Sequence, residues 1–321
     1  MRAVQVTRLD GPQAVEIREI PEPEAIGPWG PVVLIEVKAI GVSFPDLLLS
    51  KGMYQLKPDP PFTLGVDAAG VVRSAPEGSG LKPGDRVATC AGYGAAAEVM
   101  AAGVDSVFKL PDNISFEQAA AIPMNYMTAE FALGLRAQLQ PGETVLVHGA
   151  AGGVGTATIQ VAKAMGAETI AVVSTDAKAD FVRRVGADHV VPLDGFRAAV
   201  EAIGRVNVVM DVVGGDAFLD SLRVLDRFGR LLVVGFAAGG IPEVKVNRLL
   251  LNNIDVLGAA WGEYAMTTPG YLHKQWQTLL PMMESGVIDP PIGKTYAFDD
   301  FGQALVDMDE RRTLGKSIVT V

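Results

Sequence analysis

The chain has 321 residues, 49% apolar and 20% charged, enough for a large core and two ordinary domains. Its formal net charge of −10 argues against a nucleic-acid or anionic-membrane partner, since either wants a concentrated basic face. A single cysteine, Cys90, excludes an intrachain disulfide and a multi-cysteine zinc site and fits a reducing, cytoplasmic setting.

Residues 1–6 read as a strand without the apolar core of a signal peptide, and no run of about 18 apolar residues marks a membrane span. Residues 15–17 and 32–37 are predicted strands. Pro21, Pro23, Gly27, Pro28, Gly30 and Pro31 interrupt them, as turn residues do. Residues 41–46 lead into a short apolar helix at Leu47, Leu48 and Leu49. Residues 65–72 continue a glycine-punctuated, mostly β region, and residues 82–87 form a turn feeding another strand. The period changes near residue 116, where residues 116–121 and 128–135 read as helices.

From Thr144 the pattern alternates. Strand-like runs fall at 145–148, 169–173, 189–191, 206–210, 230–234 and 255–257. Helix-like runs at 153–165, 177–185, 196–203, 215–227 and 246–252 fill the gaps. Six strands alternating with helices predict an α/β fold with a doubly wound parallel sheet, a Rossmann domain. Val154, Ala157, Val161 and Met165 share one face of the first helix, which packs it on that sheet. Beyond residue 262, residues 271–284 and 299–309 read as helices, the latter capped by Asp299 or Asp300. Residues 317–321 read as a final strand. These last pieces are too short for a core of their own and are expected to fold back on the first domain. The expected division is therefore 1–122 with 262–321 for a mostly β catalytic domain, and 123–261 for the Rossmann domain.

The chemistry starts at Gly149-Ala150-Ala151-Gly152-Gly153-Val154-Gly155, between a strand and a helix. Backbone N–H groups at a helix start face anions, and glycine permits close approach of a pyrophosphate. Gly152, Gly153 and Val154 are the expected contacts. The ribose reader is expected at the end of the next strand, about 20 residues on. Ser174 and Thr175 stand there as small donors in place of a carboxylate, and Lys178 adds positive charge one turn later. Asp176, if turned inward, favours NAD; the balance favours NADPH (NADP).

The longer string Ala150-x-x-Gly153-Val154-Gly155-x-x-x-x-Gln160-x-Ala162-Lys163 resembles the signature of the quinone oxidoreductase (zeta-crystallin) branch of the medium-chain dehydrogenase/reductases. The resemblance spans the whole chain. It implies a GroES-like first domain and further cofactor contacts at Thr128, at Gly214, Gly235, Phe236 and Ala237 beyond strand ends, and at Lys316 of Gly315-Lys316. Ser43 stands where the family usually has an asparagine close to the nicotinamide amide. Stretches 41–46 and 65–67 match those that carry the catalytic zinc ligands of alcohol dehydrogenases, but the cysteine and histidine are missing. His148, His189 and His273 lie on separate elements without ligand spacing. The resemblance therefore implies a zinc-independent enzyme acting on acceptors that need no Lewis acid, quinones and conjugated carbonyls.

Tyr54, in Lys51-Gly52-Met53-Tyr54-Gln55, matches a family tyrosine that faces the substrate and is the candidate acid. Leu48 lies where some quinone reductases carry a second tyrosine, and Pro192-Leu193 replace a tyrosine of the adenosine pocket. Those departures leave an enoyl or alkenal reductase as an alternative, and an NADPH-binding structural or regulatory protein as another. Cys90, among small residues, is expected to be a buried structural thiol. The family implies a homodimer, with residues 255–257 as the candidate edge strand.

Overall fold

The computed structural model describes residues 1–27 and 30–321; Pro28, read above as a turn residue, lies outside them. The described chain forms two compact units. One comprises Met1–Met124, Pro269–Glu284 and Pro290–Val321; the other comprises Asn125–Thr268 and Ser285–Asp289.

The first unit is built on the long strand Val33–Val42, whose Val33, Ile35 and Val37 point inward at the two-residue period of a pleat. Asp67–Ser74 pairs with it on one side and Lys316–Thr320 on the other, both antiparallel. Arg86–Cys90, Val107–Lys109 and Ile292–Ala297 extend the sheet. The strand runs past its predicted end because residues 39–42 find partners in Lys316–Thr320, at the far end of the chain. Local pattern carries no trace of such a pairing. It sets the geometry of the site, because Gly41 comes to lie opposite Asp67 on one side and Ile318 on the other.

The second unit is a six-stranded parallel sheet. Its order is His189–Pro192, Glu168–Val173, Thr144–Val147, Val206–Asp211, Leu225–Val233 and Asp255–Gly258. The central strands carry continuous apolar runs, with Val145, Leu146, Val147, Val208, Val209 and Met210 all at 0% exposure, as expected for strands covered on both faces. Chain order reverses between Thr144–Val147 and Val206–Asp211, the switch point at which such sheets open a ligand crevice. This is the predicted doubly wound fold.

Three local expectations need correction. The helix expected over 215–227 is Ala217–Val224; the next residues join the strand Leu225–Val233, where Leu225 pairs with Val206. The helix expected at 299–309 begins as a single 3-10 turn, Phe298–Asp300, and becomes α-helical at Phe301–Asp309. Asp300 holds the N-cap position there but makes no side-chain capping bond. Around Thr128–Glu130 the chain is wound into wider π turns, Pro123–Met127 and Phe131–Arg136. Among the described residues, no helix is long and apolar enough to cross a membrane.

Candidate active site

The glycine turn is shaped by what surrounds it. Gly149 holds φ 62°, a left-handed conformation, and its carbonyl accepts from Gly152 N at 2.9 Å. A Cβ on Gly155 would lie 2.3 Å from Gly149 O, and one on Gly153 would lie 2.5 Å from Asn125 Nδ2. The first is barred by backbone, and the second would have to displace the Asn125 side chain. The helix Gly153–Ala164 starts immediately, so its first N–H groups have no intrahelical acceptor and mark an anion site. Gln160 anchors that helix. Its Oε1 accepts from Tyr126 Oη at 2.7 Å and from Asp289 N at 3.0 Å, while its Nε2 donates to Asp289 O at 2.8 Å.

Across the switch point, Asp211 Oδ1 accepts from Val213 N and Gly214 N, each at 2.8 Å, and so fixes the loop after its strand. Gly214, at φ 67°, leaves room for the Phe236 ring, and Ala237 N donates to Val212 O. Gly214, Gly235, Phe236 and Ala237 are thus brought together. The side chains of Val212 and Val213 reach Gly149, which places this loop beside the glycine turn. Buried His148 lies 2.7 Å, Nε2 to Oγ, from Ser221, whose hydroxyl in turn donates to Ala217 O. Burial holds the imidazole below its usual pKa range, against the pull of Asp211.

At the end of Glu168–Val173, Ser174 and Thr175 are exposed. Thr175 caps the helix Asp176–Val185 by accepting from Lys178 N, and Lys178 Nζ lies 3.4 Å from Ser174 Oγ. A cavity of about 290 Å³ opens here. Ser174, Thr175, Asp176, Arg183, Val190 and Pro192 line it, together with Ala179 and two valines. Lys178 is not in that wall. Arg183 was missed from the sequence; its signal was the spacing, seven residues after Asp176 on one helix face.

The first unit holds a buried polar network. Lys316 and Asp67 are 4% and 0% exposed. Lys316 Nζ donates to Asp67 Oδ2 at 2.7 Å and to Ser43 Oγ at 2.5 Å. Ser43 Oγ donates to the same Asp67 oxygen at 2.9 Å, and Asp67 Oδ1 accepts from Met124 N at 2.9 Å. Gly41 makes this possible: a Cβ there would lie 2.0 Å from Ala120 O and 2.7 Å from Lys316 Cε. The lysine crosses the bare backbone of the middle strand to reach the carboxylate on the far one. Ser43 has therefore spent its one proton and one lone pair within the protein. Asp67 could have been singled out as the one charge in an apolar run; its partner could not.

Asp46 lies next to this network. Its two oxygens accept from Ser43 N and Gly65 N, each at 2.9 Å. Complete burial nevertheless pushes its carboxyl up to about 7, against those two bonds and the Lys316 charge. Tyr54 is partly buried against the unit's core. Burial, then the nearby Cys90 and Asp46, raise its phenol above the usual range, so it stays a donor. Cys90 is partly exposed as a residue, not fully buried as expected. Desolvation of its sulfur and the adjacent Asp67 push the thiol well up, so it is not a ready nucleophile. Thr128 is buried in its short helix.

A glycine-cradled switch point in one unit and a GroES-like β fold in the other define a medium-chain dehydrogenase/reductase. Residues 31–112 match the alcohol dehydrogenase GroES-like domain, and residues 153–285 match the zinc-binding dehydrogenase domain. Mouse quinone oxidoreductase-like protein 2 is 37% identical over 327 aligned positions, spanning 100% of this chain and 92% of that protein. A probable oxidoreductase from Mycobacterium abscessus is 44% identical, with a TM-score of 0.89 over 100% of this chain and 99% of that one. Escherichia coli quinone oxidoreductase, solved in complex with NADPH, matches at a TM-score of 0.90 and 30% identity over the full length of both chains. The chain belongs to the quinone oxidoreductase family and is an oxidoreductase.

Proposed function

We propose that this protein is an NADPH-dependent, zinc-independent reductase that passes hydride to a quinone or a similar conjugated carbonyl. The observation that carries the reading is the turn at residues 149–155 between the strand Thr144–Val147 and the helix Gly153–Ala164, whose first N–H groups have no intrahelical acceptor. A complex of NADPH with a relative of the same fold supports the choice of cofactor.

When bound, NADPH supplies the hydride. Gly152, Gly153 and Val154 offer backbone N–H groups to the pyrophosphate. Ser174, Thr175 and Lys178 take the 2′-phosphate. Gly214, Gly235, Phe236 and Ala237 flank the nicotinamide half, and Thr128, Ser43 and Lys316 complete its surroundings. Tyr54 donates a hydrogen bond, then a proton, to the oxygen on which charge develops. The fixed ammonium of Lys316 between Ser43 and Asp67 supports zinc independence, because a dication at that position would be repelled by it.

A second reading keeps the cofactor and changes the acceptor to an enal or enoyl thioester; Leu48, in place of a second tyrosine, favours keeping it. NADPH consumption across quinones, alkenals and enoyl thioesters separates the two. Tight NADPH binding with no consumption by any of them would support a structural or regulatory protein instead. We further propose a homodimer. Asp255–Gly258 ends the strand order of the parallel sheet, and Val246, Leu250 and Leu251 beside it are 72%, 76% and 75% exposed. Sedimentation at micromolar concentration tests this; a monomer would refute it. The working compartment proposed is the cytoplasm, where one free cysteine needs no oxidising partner.

A further inference from the structure

A cavity of about 520 Å³ opens within the first unit, and none of Ser43, Tyr54, Asp67 and Lys316 lines it. That volume falls inside the range of ligand sites, roughly 300 to 1,000 Å³. It is built on a strand pairing: Gln5 of Arg2–Val6 lies opposite Thr63 of Phe62–Thr63, and both line the cavity. Gln5 is 6% exposed, and its Nε2 donates to Thr63 Oγ1, which leaves the amide oxygen Oε1 as an acceptor. The Tyr93 ring stands edge-on to Phe62, with centroids 5.9 Å apart, and is 45% exposed. Pro21, Pro23, Pro58 and Pro61 form much of the remaining wall. A proline offers a carbonyl but no N–H, so these positions add acceptors without donors. Asp59 is the one charged side chain in the wall among the described residues, and its carboxylate makes no hydrogen bond or ion pair with them. The α-ammonium of Met1, also in the wall, is bonded to Ile20 O at 2.8 Å and paired with Glu19 at 3.2 Å.

We propose that this cavity binds a primary amine as its ammonium ion, recognised by Asp59, Gln5 Oε1 and the Tyr93 ring. A carboxylate and an amide oxygen accept from an N⁺–H, and the face of an aromatic ring attracts a cation. The prolines, with Val99 and Met100, give an apolar body a surface to lie on. The volume exceeds what an ammonium head needs, so the class is an amine with a short aryl or alkyl arm. An anion would meet Asp59 with no basic side chain beside it, and the net charge of −10 adds to its exclusion. The site takes no part in the hydride reading above and stands independently of it.

Calorimetric titration of the full chain with phenethylammonium tests this, with phenethyl alcohol and phenylacetate as uncharged and anionic counterparts of similar shape. The ammonium binds, the alcohol binds at least about tenfold more weakly, and phenylacetate does not bind. Asp59→Asn weakens the ammonium by about tenfold or more, and Tyr93→Ala weakens it by about threefold. Asp59 is exposed, so its variant keeps the wild-type unfolding midpoint and a lost affinity is not a lost fold. No binding of phenethylammonium at millimolar concentration, equal affinity for the alcohol, or unchanged affinity in Asp59→Asn would each overturn the proposal.

Discussion

Lys316→Met isolates the buried ion pair, because methionine nearly keeps the shape and removes the charge. The ammonium lies 2.7 Å from Asp67 Oδ2 with both side chains buried. At an effective dielectric of about 20, that separation corresponds to roughly 6 kcal/mol of attraction. Desolvating the lysine offsets part of this in the intact protein. The substitution, however, leaves Asp67 buried without its cation, and such losses cost about 3–5 kcal/mol. Urea unfolding followed by circular dichroism is the assay. The double variant Lys316→Met/Asp67→Asn is expected to recover more than half of the loss. A neutral pair needs no counter-charge, and the introduced amide oxygen can still accept from Met124 N. A loss below about 1 kcal/mol in the single variant, or strict additivity of the two substitutions, would refute the reasoning.

Three further outcomes follow from the same geometry. Tyr54→Phe is expected to lower kcat by about 100-fold or more while leaving the NADPH Kd from fluorescence titration unchanged; equal kcat on several acceptors would remove the acid role. Gly41→Ala places a methyl 2.0 Å from Ala120 O and across the path of Lys316, so a drop in thermal midpoint matching a loss of at least about 1–3 kcal/mol is expected. Asp46 is expected to titrate near 7 by carboxyl carbon NMR, and a midpoint near 4 would contradict its burial. Its folded pKa lies above the 3.8 of an ordinary aspartate, so the native state holds the extra proton. Its contribution to stability therefore falls as pH rises from about 4 to 7, by roughly 4 kcal/mol in all.

The parallel sheet was legible because each of its strands is a short apolar run bounded by turn residues, and because the strands alternate with helices. The glycine turn was legible for a similar reason: strand, turn and helix are contiguous. Leu225 was misread because its pairing with Val206, not its own neighbourhood, makes it a strand. The network of Ser43, Asp67 and Lys316 was legible only in pieces. Lys316 was singled out through resemblance, as a residue reaching for cofactor. That its ammonium is held by an aspartate 249 positions earlier depends on the register of Lys316–Thr320 against Val33–Val42, which no local pattern encodes. Arg183 lines the cavity by helical spacing, but an exposed helix arginine cannot be told from a solvated one until the opposite wall is seen.

The most direct test is a single turnover with bound NADPH and one equivalent of a naphthoquinone, followed by the loss of NADPH absorbance. The expected result is complete loss of that absorbance with one hydroquinone formed per NADPH, in protein stripped of metal by chelator. Absorbance that stays unchanged with quinone, enal and enoyl thioester alike, or turnover that disappears on chelation and returns with zinc, would contradict the account.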